Sequence, residues 1–437
     1  MKKLEFSKNI EVKYNVDIMV AGGGPAGTAA AVMAARQGMS VLLVEAGNCL
    51  GGLGTAGMVP CFMQFTDGEN FLADGFGREI VGKIREYGGE NGGSIHGGYS
   101  IKAEILKRIY DDILTESNVQ FLFGTNFLDT ITHDGTVQYA VCTAKSGMFA
   151  IAAKIYIDAT GDGDLCVASS APFEKGDSNG NMMGGTLCSL WTGVNWDNVK
   201  PPDSRNLGKA FDDNVFTIHD LHLPGMWKIS DKVAGGNVGH IFGVDGTDET
   251  SLTKALIFGR RSLVEYQKYY KEYLSGYEDL ELIATGSILG IRETRRIIGD
   301  YVLTLGDFMK RAHFDDEIGR YAYPIDIHPS DASVNGFEKF KQEFYDSHYK
   351  KGESYGIPYR VLIPQNLKNV LVAGRCVSSD RAIQASIRVM PGCYITGQAA
   401  GIAASIAVNN NTDTRGFNVK KLQRKLQDAG AFLPNTK

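Results

Sequence analysis

The sequence predicts an α/β fold in which one parallel-sheet domain is discontinuous, drawn from both ends of the chain around an inserted α+β domain. Three observations predict it. Residues 16–27, Val-Asp-Ile-Met-Val-Ala-Gly-Gly-Gly-Pro-Ala-Gly, read as an apolar strand, a glycine turn and the start of a helix. Residues 369–373, Asn-Val-Leu-Val-Ala, read as a second buried strand ending in glycine, and residues 397–408 follow as a helix of small residues able to pack closely. Between the two, from about residue 170, the chain turns rich in Gly, Asn, Asp, Trp and Phe and loses clear periodicity. The expected parts are 1–170, an insert at 171–360, and 361–437.

In the first part, Gly22, Gly24 and Gly27 occupy the three glycine places of a dinucleotide fingerprint. They serve the tight turn, the close approach of a pyrophosphate and helix-to-strand packing. The helix expected over 26–37 aims its amides and positive dipole end at the phosphates. A strand over 40–44 ends at Glu45, placed to accept hydrogen bonds from ribose hydroxyls about twenty residues after the first glycine. A bare glycine motif is weak. Strand, turn, helix, strand and carboxylate in this order specify an adenine dinucleotide.

Next come a glycine-rich segment at 51–57, helices at 74–87 and 101–116, and a strand at 119–123. Ile101, Ile105, Ile109 and Ile113 recur at helical spacing. A hairpin spans 137–156 with Gly147 in its turn, and a strand at 156–159 runs into Thr160-Gly161-Asp162-Gly163-Asp164. Inside the insert, 252–275 reads as one long helix. Gly75-Phe76-Gly77 lacks a third glycine and a preceding strand, so a second dinucleotide domain is not expected.

Composition narrows the function. Net charge is −5, which offers no basic footprint for nucleic acid. Residues 1–14 lack the apolar core of a secretory signal, and no apolar run reaches membrane-spanning length. The seven cysteines contain no CxxC pair, so neither a metal ribbon nor a redox disulfide is expected, and no metal site is read. Reduced thiols in a cytoplasmic protein is the expectation, with a homodimer as the default assembly.

Four blocks carry a family resemblance. They are the 22–27 turn with Glu45, Leu50-Gly51-Gly52-Leu53-Gly54-Thr55-Ala56-Gly57, Gly290-Ile291-Arg292-Glu293-Thr294-Arg295-Arg296-Ile297, and residues 369–401 with Val372-Ala373-Gly374-Arg375 and Arg388-Val389-Met390-Pro391. Together they resemble the bacterial FAD-dependent oxidoreductases related to the fumarate reductase and succinate dehydrogenase flavoproteins. The resemblance implies a Rossmann-like, glutathione-reductase-type FAD-binding domain, discontinuous, with an inserted α+β substrate domain. It places noncovalent FAD on Gly22, Gly24, Pro25, Ala26 and Gly27, with Glu45 and Ala46 at the ribose and Gly51, Gly52 and Thr55 beside the pyrophosphate and flavin. Asn126 and Phe127 would meet the adenine. Ala159, Thr160, Gly161 and Asp162 would pass the dinucleotide again. Gly374 and Arg375 would open the last cofactor stretch, and the amides of Gly392, Cys393 and Tyr394 would face the flavin. The implied activity is hydride transfer between flavin N5 and a small organic substrate, with an external electron donor or acceptor. Two alternatives are reduction of an unsaturated carboxylate and service as a non-catalytic electron-transfer subunit.

Arg292, Arg296 and Arg375 are the catalytic candidates. On a helix Arg292 and Arg296 would share a face; the competing reading pairs them with Glu293 and Asp300 as struts. His96, His219 and His222 are weaker candidates, Cys61 is a remote candidate for a covalent flavin link, and Trp191, Trp196 and Trp227 serve either a substrate or the core.

Overall fold

The computed structural model describes residues 4–89, 93–200, 204–221, 225–333 and 348–436. Its main sheet starts with β1 (Glu11–Ala21), which leads through a glycine turn into α1 (Pro25–Arg36) and back into β2 (Val41–Val44). β3 (Gln120–Leu122), β4 (Asn126–His133), β5 (Thr136–Ala144) and β6 (Gly147–Asp158) follow, and β7 (Val370–Val372) arrives from the far end of the chain. β3, β2, β1, β6 and β7 are parallel neighbours, with Ile18 opposite both Val41 and Ile155, and Val370 opposite Tyr156. β1 ends in the apolar run Ile18, Met19, Val20, Ala21, buried on both faces as a central parallel strand must be.

The long β6 has a divided edge. Its first half pairs antiparallel with β5, and its second half pairs with β7. The second arm of the hairpin and the strand expected after it are therefore one continuous strand. β4, which pairs antiparallel with β5, has no counterpart in the sequence expectation.

Helix α2 (Arg381–Ile387) is capped by Asp380, whose carboxylate accepts from the Ile383 amide. It leads into α3 (Met390–Asn410), buried from Met390 through Ala407 and apolar all round. α3 lies against α1 at backbone contact. A Cβ on Gly397 would sit 2.2 Å from the Ala26 carbonyl oxygen, and one on Gly401 2.2 Å from that of Ala30. Gly401→Leu is therefore expected to wedge the helices apart and cost roughly 1–3 kcal/mol or more by overpacking. A lowered urea midpoint with an unchanged slope is the result that checks it.

A second core is formed within residues 187–291, including Trp191, Leu263, Tyr269, Tyr270 and Leu289. Its antiparallel sheet runs Gly225–Lys228, Ala234–Asn237, Ser189–Thr192, Glu281–Thr285. The helix Glu249–Tyr273 packs in the same core; its N-cap Asp248 accepts from the Ser251 amide at 2.6 Å.

Two expectations are corrected by the packing. Leu303, Phe308, Ile318, Tyr321, Tyr355 and Val361 lie in the first core with α1 and α3, so the chain returns there well before residue 360. The arginine block is not helical either. Arg295–Ile297 is a strand antiparallel to Phe173–Lys175, with Arg296 opposite Glu174. Ile297, almost wholly buried, and the ladder to the distant segment override the helical spacing of the arginines.

Candidate active site

The strands β1, β2, β6 and β7 all end at one cavity of about 590 Å³. That volume falls in the range of ligand pockets, and its position beyond the carboxyl ends of parallel strands is where open α/β sheets bind ligands.

Most of the residues expected to hold the dinucleotide line it: Gly22, Gly24, Pro25, Ala26, Glu45, Ala46, Gly52, Asn126, Phe127, Ala159, Thr160, Gly161, Asp162, Gly374, Arg375 and Cys393. Gly22 has a φ of +95°, and a Cβ there would stand 2.5 Å from the Ala159 carbonyl oxygen. A Cβ on Gly27 would meet the Gly22 carbonyl oxygen at 1.9 Å, so Gly27 serves helix packing and does not line the cavity. Gly24 is the opposite case: its Cβ direction is open for 4 Å. No side chain caps α1 at Gly24, and none caps α3 at Val389. Both helices therefore direct first-turn amides and positive dipole ends at this cavity, α3 through Met390 and Cys393.

Glu45 is anchored by backbone amides. Its Oε2 accepts from the Gly23 amide at 2.7 Å and its Oε1 from the Gly47 amide at 2.6 Å, which fixes the carboxylate at the end of β2. Four other expected residues stand behind the lining. The Gly51 amide donates to the Gly23 carbonyl, and Thr55 turns its hydroxyl to the Leu50 carbonyl. The Tyr394 hydroxyl is bonded to that of Tyr110 in the core, and Gly392 lets the chain pass the Ile387 carbonyl.

The three catalytic candidates separate by their partners. Arg375 lines the cavity, yet Nε donates to the Gly161 carbonyl, Nη1 to that of Ile291 and Nη2 to Asp162 Oδ1 at 2.7 Å, so it braces the 161–162 turn. Arg296 is set back from the cavity, with Nη1 on Glu293 at 2.8 Å and Nη2 on Glu174 and the Gly176 carbonyl. Asp300 binds Arg415 instead. Arg292 does not line the cavity either, and it differs from both in its partners. Its Nη1 donates to the Gly184 carbonyl and Thr186 Oγ1, and its Nη2 to Asn237 Oδ1 at 3.4 Å, all neutral acceptors. Burial and the neighbouring Arg388 pull its pKa down to about 10. A guanidinium buried among neutral acceptors is a strong local positive field.

Residues that sequence reasoning missed come mainly from the second core. Leu252, Leu256, Ile288, Leu289 and Ile291 form an apolar wall of the cavity. The i, i+4 spacing of Leu252 and Leu256 was the available signal, but it says only which helix face is buried. The weaker candidates lie elsewhere. Cys61 is buried with its thiol pushed up by desolvation, which disfavours the reactive thiolate. His219 stacks on Phe211 at 4.4 Å, and His96 Nδ1 is 3.1 Å from Thr66 Oγ1. His222 lies outside the described residues. Trp191 is a core residue, donating to Ser189 Oγ. Trp227 packs against Gly98, and Trp196 has Lys228 over its ring. Among the described residues no cluster of His, Cys, Asp and Glu could hold a metal, and no helix is long and apolar enough to cross a membrane.

Residues 17–426 match the family model of the FAD dependent oxidoreductases, and the chain belongs to that family. It is an FAD-dependent oxidoreductase, and FAD is its cofactor. Among solved structures it is similar to a geranylgeranyl bacteriochlorophyll reductase-like protein from Thermoplasma acidophilum, at 12% identity over 96% of this chain and 84% of that one, with a TM-score of 0.46. The flavin-dependent brominase Bmp2 gives 12% identity over 95% and 83%, TM-score 0.46. The p-nitrophenol 4-monooxygenase PnpA from Pseudomonas putida DLL-E4 gives 11% over 95% and 84%, TM-score 0.46. Among curated proteins none matches. The residues present suit FAD: glycines in the cavity wall, an anchored carboxylate at one strand end, and two uncapped helix starts for an anionic group.

Proposed function

We propose that the protein binds FAD noncovalently along the 590 Å³ cavity and transfers hydride between the flavin and a small organic substrate. The observation that carries this reading is the convergence of two uncapped helix N-termini on one cavity. Gly24, Pro25, Ala26 and Gly52 take the pyrophosphate, with Gly22 and Gly27 shaping the turn and Gly51 and Thr55 supporting it. Glu45 and Ala46 hold the adenosine ribose, and Asn126 and Phe127 the adenine. Ala159, Thr160, Gly161, Asp162 and Gly374 border the dinucleotide. Amides at Gly392, Cys393 and Tyr394 oppose the flavin ring edge, where a helix start favours negative charge. When bound, FAD supplies the two-electron chemistry at N5.

The chain's own residues do the rest. Arg292, set back from the cavity lining, places a buried positive charge next to the wall residue Ile291, and its field favours a polar substrate group on that side. Arg375 and Arg296 keep the walls in place. Leu252, Leu256, Ile288 and Leu289 exclude water from the reacting face. The wall residues come from the second core, which supports an inserted substrate domain on a glutathione-reductase-type FAD domain. Kinship to fumarate reductase and succinate dehydrogenase flavoproteins belongs to the same proposal. A second reading, reduction of an unsaturated carboxylate, is favoured by the neutral hydrogen-bond acceptors of the Arg292 guanidinium. A cytoplasmic location fits seven unpaired cysteines.

The purified protein is expected to show flavin absorbance that acid precipitation releases into the supernatant as FAD. Colour kept in the pellet means a covalent link. Colourless protein that takes up no added FAD overturns this use of the cavity.

A further inference from the structure

The long helix of the second core, Glu249–Tyr273, has an inner and an outer face. Leu263, Tyr266, Tyr269 and Tyr270 of the inner face are buried. Lys254, Ile257, Arg261, Val264, Lys268 and Lys271 recur at steps of three and four, so they share the other face, with Arg260 along its border. All seven are exposed, and Ile257 and Val264 keep 45% and 66% of their surface open. From Lys254 to Lys271 the row spans about 25 Å at about 1.5 Å per residue.

The row holds five cations and one exposed acid, Glu272. The other acid along it, Glu265, turns aside to accept from the Thr217 amide at 3.0 Å and from the Thr217 hydroxyl. Among the described residues none of the five cations forms an ion pair or a side-chain hydrogen bond. Several surface cations elsewhere are paired: Arg36 with Glu79, Arg360 with Asp316, Arg415 with Asp300. Lys268 and Lys271 stand one turn apart, a like-charge spacing that weakens a helix. The stability of the helix therefore gives no reason for the row. The chain as a whole is acidic, with net charge −5, so a positive row on one flank orients the molecule toward an anionic surface.

We propose that this face docks on the surface of an anionic phospholipid bilayer. Charge complementarity selects an anionic partner, and two features select a bilayer over an acidic protein. No neighbour fixes the five cationic side chains, so they present charge density without the set positions that the carboxylates of a folded partner demand. Headgroups that move in the plane of a bilayer need only the charge density. Ile257 and Val264 lie two turns apart inside the row, where they enter the headgroup layer between the cations. A group of roughly four to eight basic residues on an amphipathic helix is the pattern that binds acidic lipid. Leu252 and Leu256, early in the same helix, line the cavity. Docking therefore holds the apolar wall within about a helix diameter, roughly 10–12 Å, of the headgroups. The attachment is peripheral, and it does not depend on which cofactor fills the cavity.

The test sediments the full chain with vesicles of phosphatidylcholine containing about one-third phosphatidylserine. The protein is expected to pellet with them and to stay in solution with pure phosphatidylcholine. Raising salt from about 0.1 M to about 1 M, which shortens the Debye length from about 10 Å to about 3 Å, is expected to release it. Each basic residue near such a surface strengthens binding about fivefold, so Arg261→Gln with Lys268→Gln is expected to weaken it roughly 20–30-fold. Lys254→Gln with Lys271→Gln repeats the comparison at the two ends of the row and serves in its place if the first pair does not fold. Lys420→Gln with Arg424→Gln removes the same charge from the C-terminal helix Val419–Asp428 and is expected to change binding little. Absence of binding to the charged vesicles overturns the proposal. Equal weakening by the Lys420 and Arg424 pair overturns it too, because net charge alone is then the cause. Binding to poly-glutamate through the row without binding to vesicles also overturns it and assigns the face to an acidic protein.

Discussion

Gly24→Asp is expected to abolish FAD binding while slightly stabilising the FAD-free chain. Gly24 is the N-cap of α1, with ordinary φ of −69° and no atom within 4 Å of its Cβ direction, so aspartate fits without strain. A carboxylate there accepts from first-turn amides and complements the helix dipole, a gain of a few tenths to about 1 kcal/mol. The same carboxylate occupies the place of an anionic pyrophosphate. Two like charges about 4 Å apart cost about 4 kcal/mol at an effective dielectric of about 20, close to a thousandfold in affinity. Fluorescence titration with FAD and a thermal melt of the FAD-free protein read the two effects. A variant that loses both FAD and stability would show that the turn cannot accept a side chain.

Glu293→Ala is expected to give a large loss of stability. Glu293 is 1% exposed and carries the Arg296 Nη1 bond at 2.8 Å, the Arg381 Nε contact at 3.1 Å and the Met183 amide at 3.0 Å. Removing it leaves the buried Arg296 with only Glu174 and the Gly176 carbonyl, and orphans a backbone amide. Breaking one partner out of a buried ion pair costs roughly 3–5 kcal/mol. Glu293→Gln keeps acceptor and shape and is expected to lose less. Urea unfolding of both variants checks the order; an alanine variant as stable as wild type would mean that water takes over the pairing.

The glycine turn, α1 and Glu45 were legible because their signals are local: strand, turn and helix are contiguous, and each glycine answers a backbone contact within one unit. α3 was legible in part, since a run of small residues announces close packing but not its partner. The arginine block was read with the wrong period. Its Arg-x-x-Arg-Arg spacing suits a helix, yet each guanidinium is held by a distant segment: Glu174 and Gly176 for Arg296, Asp164 for Arg295, Gly184 and Thr186 for Arg292. β4 escaped because its residues are mostly exposed and show no alternation. The contact of His240 Nε2 with His328 Nδ1, at 2.6 Å, was illegible for the same reason at longer range. Nothing near His240 in sequence points to a residue 88 positions away.

The divided edge of β6 has a consequence for the order of synthesis. The Val137 amide is bonded to Asn369 Oδ1, 232 residues later, and the end of β7 with the start of α3 supplies part of the wall of the cavity proposed for FAD. A nascent chain emerging from the ribosome has its glycine turn early but no enclosed place for FAD until nearly the last tenth of the polypeptide has appeared. Until then the second half of β6 shows an open edge to its surroundings. Capture of the cofactor is therefore a late, whole-chain event, and a ribosome-stalled or prematurely stopped product would be distinguishable from finished protein by its lack of yellow colour.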